Sequence, residues 1–149
     1  MRILDSLNIE YDYMTYEAED GHIDGVSVAH KTGQNPEAVF KTLVAVGHSN
    51  ELYVFCIPVE YELDLKKAAK ASNEKNIEML PLRELTKNTG YVRGGCSPLG
   101  MKKHYKTFID ESALLQDKIL VSAGVIGTQI IIRPDDLITA AEAIYADLI

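Results

Sequence analysis

The stretch Gly90–Lys103, GYVRGGCSPLGMKK, is the most informative part of the chain. Three glycines and one proline lie within the seven residues Gly94–Gly100, and two lysines follow after Met101. Glycine lets backbone N–H groups approach a ligand that a side chain would keep away, and proline fixes φ and stiffens a loop. The stretch therefore predicts a site built largely from backbone donors, with nearby cations for a phosphate-bearing partner.

The composition is typical of a globular protein. The chain has 149 residues, of which 46% are hydrophobic and 25% charged, and its formal net charge is −7. We expect one domain over residues 1–149, which is long enough to bury a sizeable core. The acidic balance disfavours broad binding along DNA or another nucleic-acid backbone. It leaves room for a local basic patch, for which Lys102 and Lys103 are candidates.

The hydropathy pattern does not favour a membrane protein. No apolar run is long enough to span a bilayer, and the N-terminal residues 1–5, MRILD, lack the pattern of a secretory signal. We therefore expect a cytoplasmic protein without a membrane partner.

The cysteines and histidines give little support for a catalytic dyad or a metal site. Cys56 lies in an apolar run and is most simply a core residue. Cys96 lies in the glycine stretch and is a candidate thiol nucleophile, but no histidine is near enough in sequence to act as its base. The four histidines show no metal-ligand spacing, so we expect neither a metal nor another cofactor.

Periodicity and turn residues predict an α+β domain with a mixed sheet, since strands and helices alternate without a regular βαβ repeat. The predicted helices are Met1–Leu7, Val26–Lys31, Asp64–Ala71, Pro81–Thr86 and Pro134–Leu148. The predicted strands are Tyr11–Tyr16, Lys41–Val46, Leu52–Val59, Ile77–Met79, Thr107–Ile109, Ile119–Ser122 and Thr128–Ile132. The second and third strands, separated by GHSN, form a predicted hairpin.

Several segments together resemble the YbaK/EbsC-type aminoacyl-tRNA deacylases, which are free-standing relatives of the editing domain inserted in bacterial prolyl-tRNA synthetases. They follow the order of the family over nearly the whole chain. The segments are VFKTLV at Val39–Val44, KKAA at Lys66–Ala69, the stretch Gly90–Lys103, ILVSAG at Ile119–Gly124 and RPDDL at Arg133–Leu137.

The resemblance implies a fold, an activity and a substrate. The fold is a mixed, barrel-like β-sheet surrounded by helices. The activity is hydrolysis of the ester that joins a misattached amino acid to the 3′ end of a tRNA. The sequence GGCSPLGMKK is most similar to members that remove cysteine from the proline tRNA, so Cys-tRNA(Pro) is the expected substrate. A tRNA acceptor end and prolyl-tRNA synthetase are the implied partners, with no DNA.

In the cysteine-clearing members, the implied mechanism is assisted by the substrate. The thiol of the misattached cysteine attacks its own ester and leaves as a cyclic thioester. The enzyme then contributes positioning and electrostatics rather than a nucleophile. This mechanism agrees with the lack of an evident catalytic dyad in the sequence.

The resemblance assigns catalytic roles to Lys41, Gly94 and Gly95. Lys41 would hold a phosphate or the terminal ribose as a point charge, although a lysine at the start of a strand is ordinarily a surface residue. Gly94 and Gly95 would bring backbone N–H groups to the ester carbonyl. The same glycines would also make a tight turn.

A second group of residues is assigned to substrate binding. It comprises Tyr16, Thr42, Ser97, Pro98, Lys102, Lys103, Ser122, Gly124 and Asp136. Simpler interpretations remain open for several of them. Ser97 could stabilise a turn, Tyr16 could pack across strands, and Asp136 could be an acid placed favourably at a helix N-terminus.

One departure from the family pattern keeps other functions open. Family members commonly carry a basic pair such as Lys-Arg where this chain has Val125-Ile126, before Gly127. The loss of two positive charges is consistent with a binding module that keeps the fold without the activity, or with an editor of another amino acid such as alanine. A small-nucleotide or phosphate-binding protein is a further alternative, although the chain has no Walker-type motif.

Overall fold

Strands and helices alternate along residues 2–149, the part of the chain that the computed structural model describes. The strands are β1 (Asp12–Thr15), β2 (Phe40–Gly47), β3 (Leu52–Pro58), β4 (Ile77–Met79), β5 (Lys106–Asp110), β6 (Ile119–Ser122), β7 (Thr128–Ile132) and β8 (Ala143–Ala146). The α-helices are α1 (Arg2–Ser6), α2 (Gly25–Thr32), α3 (Leu65–Ser72), α4 (Leu82–Thr89) and α5 (Pro134–Ala141). Short 3₁₀ helices cover Pro36–Ala38 and Glu111–Leu115. Met1, the first residue of the first predicted helix, lies outside the described residues.

The strands form two sheets. An antiparallel sheet has the order β1-β7-β6, and a mixed sheet has the order β4-β2-β3-β5-β8 with parallel pairing of β5 to both β3 and β8. A parallel bridge between Val39 and Leu120 joins them. The α+β prediction is confirmed, and the barrel-like sheet takes the form of two bridged sheets that do not close into a barrel over residues 2–149.

The predicted hairpin is the centre of the mixed sheet. β2 and β3 pair from Phe40 opposite Pro58 to Val46 opposite Leu52. Residues of β3 are buried because the sheet is covered on both faces. One face packs against the β1-β7-β6 sheet, and the other packs against α3 through a cluster that includes stacked Phe55 and Phe108. The hairpin therefore gives Lys41 a rigid position at its start.

Helix ends follow the capping residues of the sequence. The Asp64 carboxylate accepts hydrogen bonds from the backbone N–H groups of Lys66 and Lys67 and so begins α3, as predicted. The Asp24 carboxylate caps α2 in the same way. Gly33 ends α2 in the left-handed conformation, which glycine adopts at low cost.

The predicted end of the last helix, at Leu148, is wrong. Instead of continuing to Leu148, α5 ends at Ala141, Glu142 takes a left-handed φ of 52°, and β8 follows. β8 pairs with β5 and so provides hydrogen-bond partners for the backbone groups of β5. If α5 continued to Leu148, those groups at the edge of the mixed sheet would have no strand beside them. Leu148 is fully buried, and its N–H donates to the Asp110 carboxylate at 2.9 Å. These long-range contacts outweigh local helix propensity.

Candidate active site

A small cavity of about 80 Å³ lies where β2 begins, beside the glycine stretch and β7. Its polar lining is Tyr16, Lys41, Thr42, Ser122 and Gln129. Its remaining lining is Ile23, Gly25, Val28, Phe40, Val59, Gly94 and Cys96. A wider groove of about 760 Å³ shares seven of these residues, among them Lys41 and Gly94, and adds mostly apolar residues from α2, β2, β4 and α4. A narrow cavity with both polar and apolar walls therefore lies next to a broad and mostly apolar groove.

Lys41 is the cation of this cavity. Burial lowers the pKa of its ammonium group from the ordinary lysine value, and the negative charge of Glu62 opposes that shift. A half-buried ammonium interacts more strongly with an anion than one in bulk water, because the surroundings screen it less. Lys41 can therefore bind a phosphate, or stabilise negative charge that develops on an ester oxygen.

The two predicted catalytic glycines have different surroundings. Gly94 lines the cavity with a φ of 84°, and a Cβ there would lie 3.0 Å from Cδ1 of Ile23. The Gly95 N–H donates to the Val92 carbonyl at 3.0 Å, so it closes a turn. A Cβ on Gly95 would lie 3.2 Å from the backbone nitrogen of Ile126, which shows how closely the two loops approach.

The other predicted residues of the glycine stretch, Ser97, Pro98, Lys102 and Lys103, do not line the cavity. Ser97 is fully buried and its Oγ accepts from the Leu99 N–H at 3.2 Å, which is the turn-stabilising arrangement. Pro98 lies with Lys103 at a separate cavity of about 270 Å³ beside the end of α5. Lys102 is exposed, and its side chain lies against Gly90.

The remaining predicted binding residues also divide into two groups. Ser122 lines the cavity, and its Oγ accepts from the Gly124 N–H at 3.1 Å. Gly124 lies behind it against the ring of Tyr91. Asp136 is half-buried in the first turn of α5, away from the residues that line the cavity. The structure thus brings together Tyr16, Lys41, Thr42, Gly94 and Ser122, and places Gly95, Ser97, Pro98, Lys102, Lys103, Gly124 and Asp136 outside the lining.

Sequence reasoning missed Gln129 and the start of α2. Gln129 is a polar residue inside the apolar strand TQIII, and that contrast is a signal that could have identified it. At Gly25, a Cβ would lie 2.3 Å from Cγ1 of Val59, so only glycine allows α2 to approach the end of β3 this closely. This approach closes one side of the cavity.

Neither cysteine is activated as a nucleophile. Cys56 is fully buried, as predicted, and Cys96 is 7% exposed. Burial raises the pKa of each thiol to about 12. A thiol with this pKa is protonated near neutral pH and is a poor nucleophile. Cys96 therefore lines the cavity as a protonated thiol, beside which the sequence places no histidine that could act as its base.

The Val125-Ile126 departure makes one lip of the site apolar. Val125 is 59% exposed and Ile126 is 37% exposed. The Ile126 side chain lies over Gly94 and Gly95, where an added Cβ would come within 3.8 and 3.5 Å of its Cγ1. A hydrophobic side chain therefore covers the glycine turn at this edge of the site.

Residues 2–149 contain neither a cluster of metal ligands nor a membrane-spanning helix. No group of three or more His, Cys, Asp or Glu side chains there could hold a metal ion. No helix in this part of the chain is long and apolar enough to cross a membrane.

The family follows from a comparison with known domains. The model of the aminoacyl-tRNA editing domain matches residues 23–140, which include the cavity residues from β2, the glycine stretch and β7. The chain belongs to this family. An Enterococcus faecalis protein named "Putative Cys-tRNA(Pro)/Cys-tRNA(Cys) deacylase EbsC" is 40% identical over 148 residues, which cover 99% of this chain and 90% of that protein. The resemblance seen in the sequence is confirmed.

Solved structures confirm the fold of this editing domain. The structure titled "Crystal structure of a putative trans-editing enzyme for prolyl tRNA synthetase" superposes with a TM-score of 0.81 at 23% identity, covering 93% of this chain and 85% of that one. The structure of "hypothetical protein APE2540" superposes with a TM-score of 0.89 at 18% identity, and the match covers 99% of this chain and 96% of that one. The two-sheet architecture is therefore shared by proteins of quite different sequence.

Proposed function

We propose that the protein is a trans-editing enzyme that removes a misattached amino acid from tRNA, with Cys-tRNA(Pro) as its substrate. The observation that carries the proposal is the cavity of about 80 Å³ that Lys41, Gly94 and the Cys96 thiol line, where burial raises the pKa of that thiol to about 12. Its size suits a small side chain such as that of cysteine. The family membership supports editing of aminoacyl-tRNA, and the Enterococcus faecalis relative, whose name describes a deacylase of Cys-tRNA(Pro) and Cys-tRNA(Cys), supports cysteine as the amino acid removed.

In this proposal the substrate supplies the nucleophile. The sulfur of the misattached cysteine forms a bond to its own carbonyl carbon, and the bond from that carbon to the ribose oxygen breaks. The thiol proton passes to the ribose oxygen, which leaves as a hydroxyl. The cyclic thioester departs, a lyase-type step, and water then opens it. Lys41 and the Gly94 amide stabilise negative charge during the attack.

The substrate is the acceptor end of a tRNA, and the proposed presenting partner is prolyl-tRNA synthetase. The exposed Lys102 and Lys103 offer the acceptor stem a local positive charge. With a net charge of −7 and an apolar lip at Val125-Ile126, affinity for free tRNA is modest. A synthetase that hands over the mischarged tRNA would compensate, and both partners are in the cytoplasm.

The direct test is deacylation by the purified protein of cysteinyl-, alanyl- and prolyl-tRNA(Pro). We expect the cysteinyl ester to be cleaved fastest and the prolyl ester to be spared. Faster cleavage of the alanyl ester would instead identify an alanine editor. If none is cleaved under conditions where a known editor is active, the proposal is wrong.

A matched pair of lysine variants tests the site. Lys41→Ala is expected to lower kcat/KM by about 100-fold, the usual loss on removing one electrostatic contact to a transition state. Lys75→Ala is the control, because this exposed lysine follows Glu74, which lies against Gly47 at the far end of β2. Equal activity of the two variants would remove Lys41 from the site.

One observation favours a second candidate function, a module that binds aminoacyl-tRNA or a synthetase without turnover. The apolar Val125-Ile126 lip replaces charges at the edge of the site. This candidate predicts stoichiometric binding of the aminoacylated acceptor end with no hydrolysis. Measurable turnover decides against it.

A further inference from the structure

Gln129 is an unusual residue for the centre of a small sheet. It lies in β7 between neighbours in both adjacent strands, opposite Met14 of β1 and Ser122 of β6. Its side chain is only 6% exposed and lines the small cavity that also holds Lys41. Its Oε1 is shielded from solvent and accepts no hydrogen bond within residues 2–149.

The fold does not need an amide at this position. Ile131, the next residue on the same face of β7, is apolar and packs against the cluster that includes Val39 and Leu120, so an apolar side chain would also suit this face of the sheet. A buried acceptor without a donor is destabilising relative to an apolar side chain of similar shape. Retaining such a group at a cavity wall is therefore best explained by a donor that arrives with a ligand.

The cavity holds donors for the other parts of an aminoacyl ester, and the hydroxyls of Tyr16, Thr42 and Ser122 in its lining can both donate and accept. The Lys41 ammonium group and the Gly94 amide can only donate. The Ser122 Oγ already accepts from the Gly124 N–H, and the Thr42 hydroxyl lies 3.7 Å from the Cys56 Sγ. Gln129 Oε1 thus complements them as an acceptor. In an aminoacyl ester, the strongest donor is the α-ammonium group, which carries three N–H bonds and a positive charge.

We propose that Gln129 binds the α-ammonium group of the aminoacyl ester and makes a free α-amino group a requirement for entry to the cavity. The inference rests on the proposed function for its substrate class. A site that leaves a buried acceptor unpaired rejects a ligand that lacks the matching donor. The protein therefore distinguishes a free aminoacyl ester from one without an α-amino group, in addition to selecting the side chain by size.

The test measures binding with ligands that cannot be cleaved. They are 3′-amino-3′-deoxyadenosine acylated on its 3′ nitrogen with cysteine, and the same compound acylated with 3-mercaptopropionic acid, which keeps the thiol and lacks only the α-amino group. Calorimetry gives Kd for both with the wild type, Gln129→Met and Gln129→Glu. Methionine has nearly the shape of glutamine without the acceptor, and glutamate keeps an acceptor at the same place.

We expect the wild type to prefer the cysteinyl ligand by about tenfold or more, as for a hydrogen bond to a charged group. Gln129→Met should lose this preference because its affinity for the cysteinyl ligand falls while that for the des-amino ligand stays. Gln129→Glu should keep or increase it. A change in cavity shape alone would weaken both ligands together. Thermal unfolding should show Gln129→Met to be at least as stable as the wild type, because an unpaired acceptor is removed.

The outcomes separate this inference from the proposed function. Equal Kd values for the two ligands in the wild type, or an unchanged preference in Gln129→Met, would overturn the role of Gln129 even if the protein deacylates tRNA. A preference that depends on Gln129 in a protein without turnover would support the α-ammonium site and reject the deacylase.

Discussion

The Tyr91 hydroxyl donates a hydrogen bond to the backbone carbonyl of Leu99, so the glycine stretch is tied to itself across the turn that faces the cavity. The same ring lies against Gly124, where an added Cβ would be 3.0 Å from its Cε1. Leu99 in turn belongs to the core between the two sheets. Tyr91 thus links the two loops that carry Gly94 and Ser122.

Removal of the Tyr91 hydroxyl should loosen this link. Tyr91→Phe is expected to cost about 1 kcal/mol of unfolding free energy, the usual net value of one hydrogen bond, and to lower kcat/KM because the loops lose their fixed separation. Tyr105→Phe is the matched control, since its hydroxyl donates to the Asn88 carbonyl at 3.0 Å outside the cavity. Denaturant unfolding and deacylation are measured for both. Equal activity losses would contradict the role of Tyr91.

The left-handed backbone at Gly94 should be essential to the site. Gly94→Ala is expected to cost about 1 kcal/mol, because an L side chain is disfavoured at a φ of 84°, and to push Ile23 at the cavity wall. Gly33→Ala carries a similar backbone penalty at a φ of 67°, with nothing within 4 Å of the added Cβ. Both variants should lose stability, and deacylation should fall only in Gly94→Ala. Full activity of Gly94→Ala would remove this turn from the mechanism.

The lowered pKa of Lys41 predicts a loss of activity in alkali. Burial favours the neutral amine, so the ammonium group loses its proton at a lower pH than an ordinary lysine, and kcat/KM corrected for spontaneous hydrolysis should fall as pH rises through that pKa. Glu62→Gln removes a charge that raises this pKa and should move the fall to lower pH. Lys41→Arg should move any residual activity to higher pH. A profile that is unaffected by Glu62→Gln would contradict the assignment.

The two thiols should be protected from alkylation in the native protein. Burial raises the pKa of both Cys56 and Cys96 to about 12, so little thiolate forms at pH 8. Iodoacetamide followed by mass spectrometry should show slow labelling of the folded chain and two rapid additions in denaturant. Rapid labelling of Cys96 in the folded protein would restore it as a candidate nucleophile.

Local patterns in the sequence predicted most of the fold. The β2-β3 hairpin, the Asp64 cap and the Gly33 end of α2 depend on neighbours within a few residues, so their signals are present in short windows. The end of α5 was mispredicted because β8 exists only through pairing with β5, more than thirty positions earlier in the chain. Local propensity contains no information about that partner.

The sequence by itself determined the family and the mixed α+β class, since these depend on residue order, and it made Lys41 and the glycine stretch candidates for the site. Only the tertiary structure decided which candidates share a cavity. It placed Gly94 in the lining and used the Gly95 amide to close a turn, and it brought Gln129 of β7 beside Lys41 of β2. The reason is physical: residues far apart in sequence meet only after the two sheets pack. Burial then lowers the pKa of Lys41 and leaves Gln129 Oε1, at the cavity, without a partner within residues 2–149.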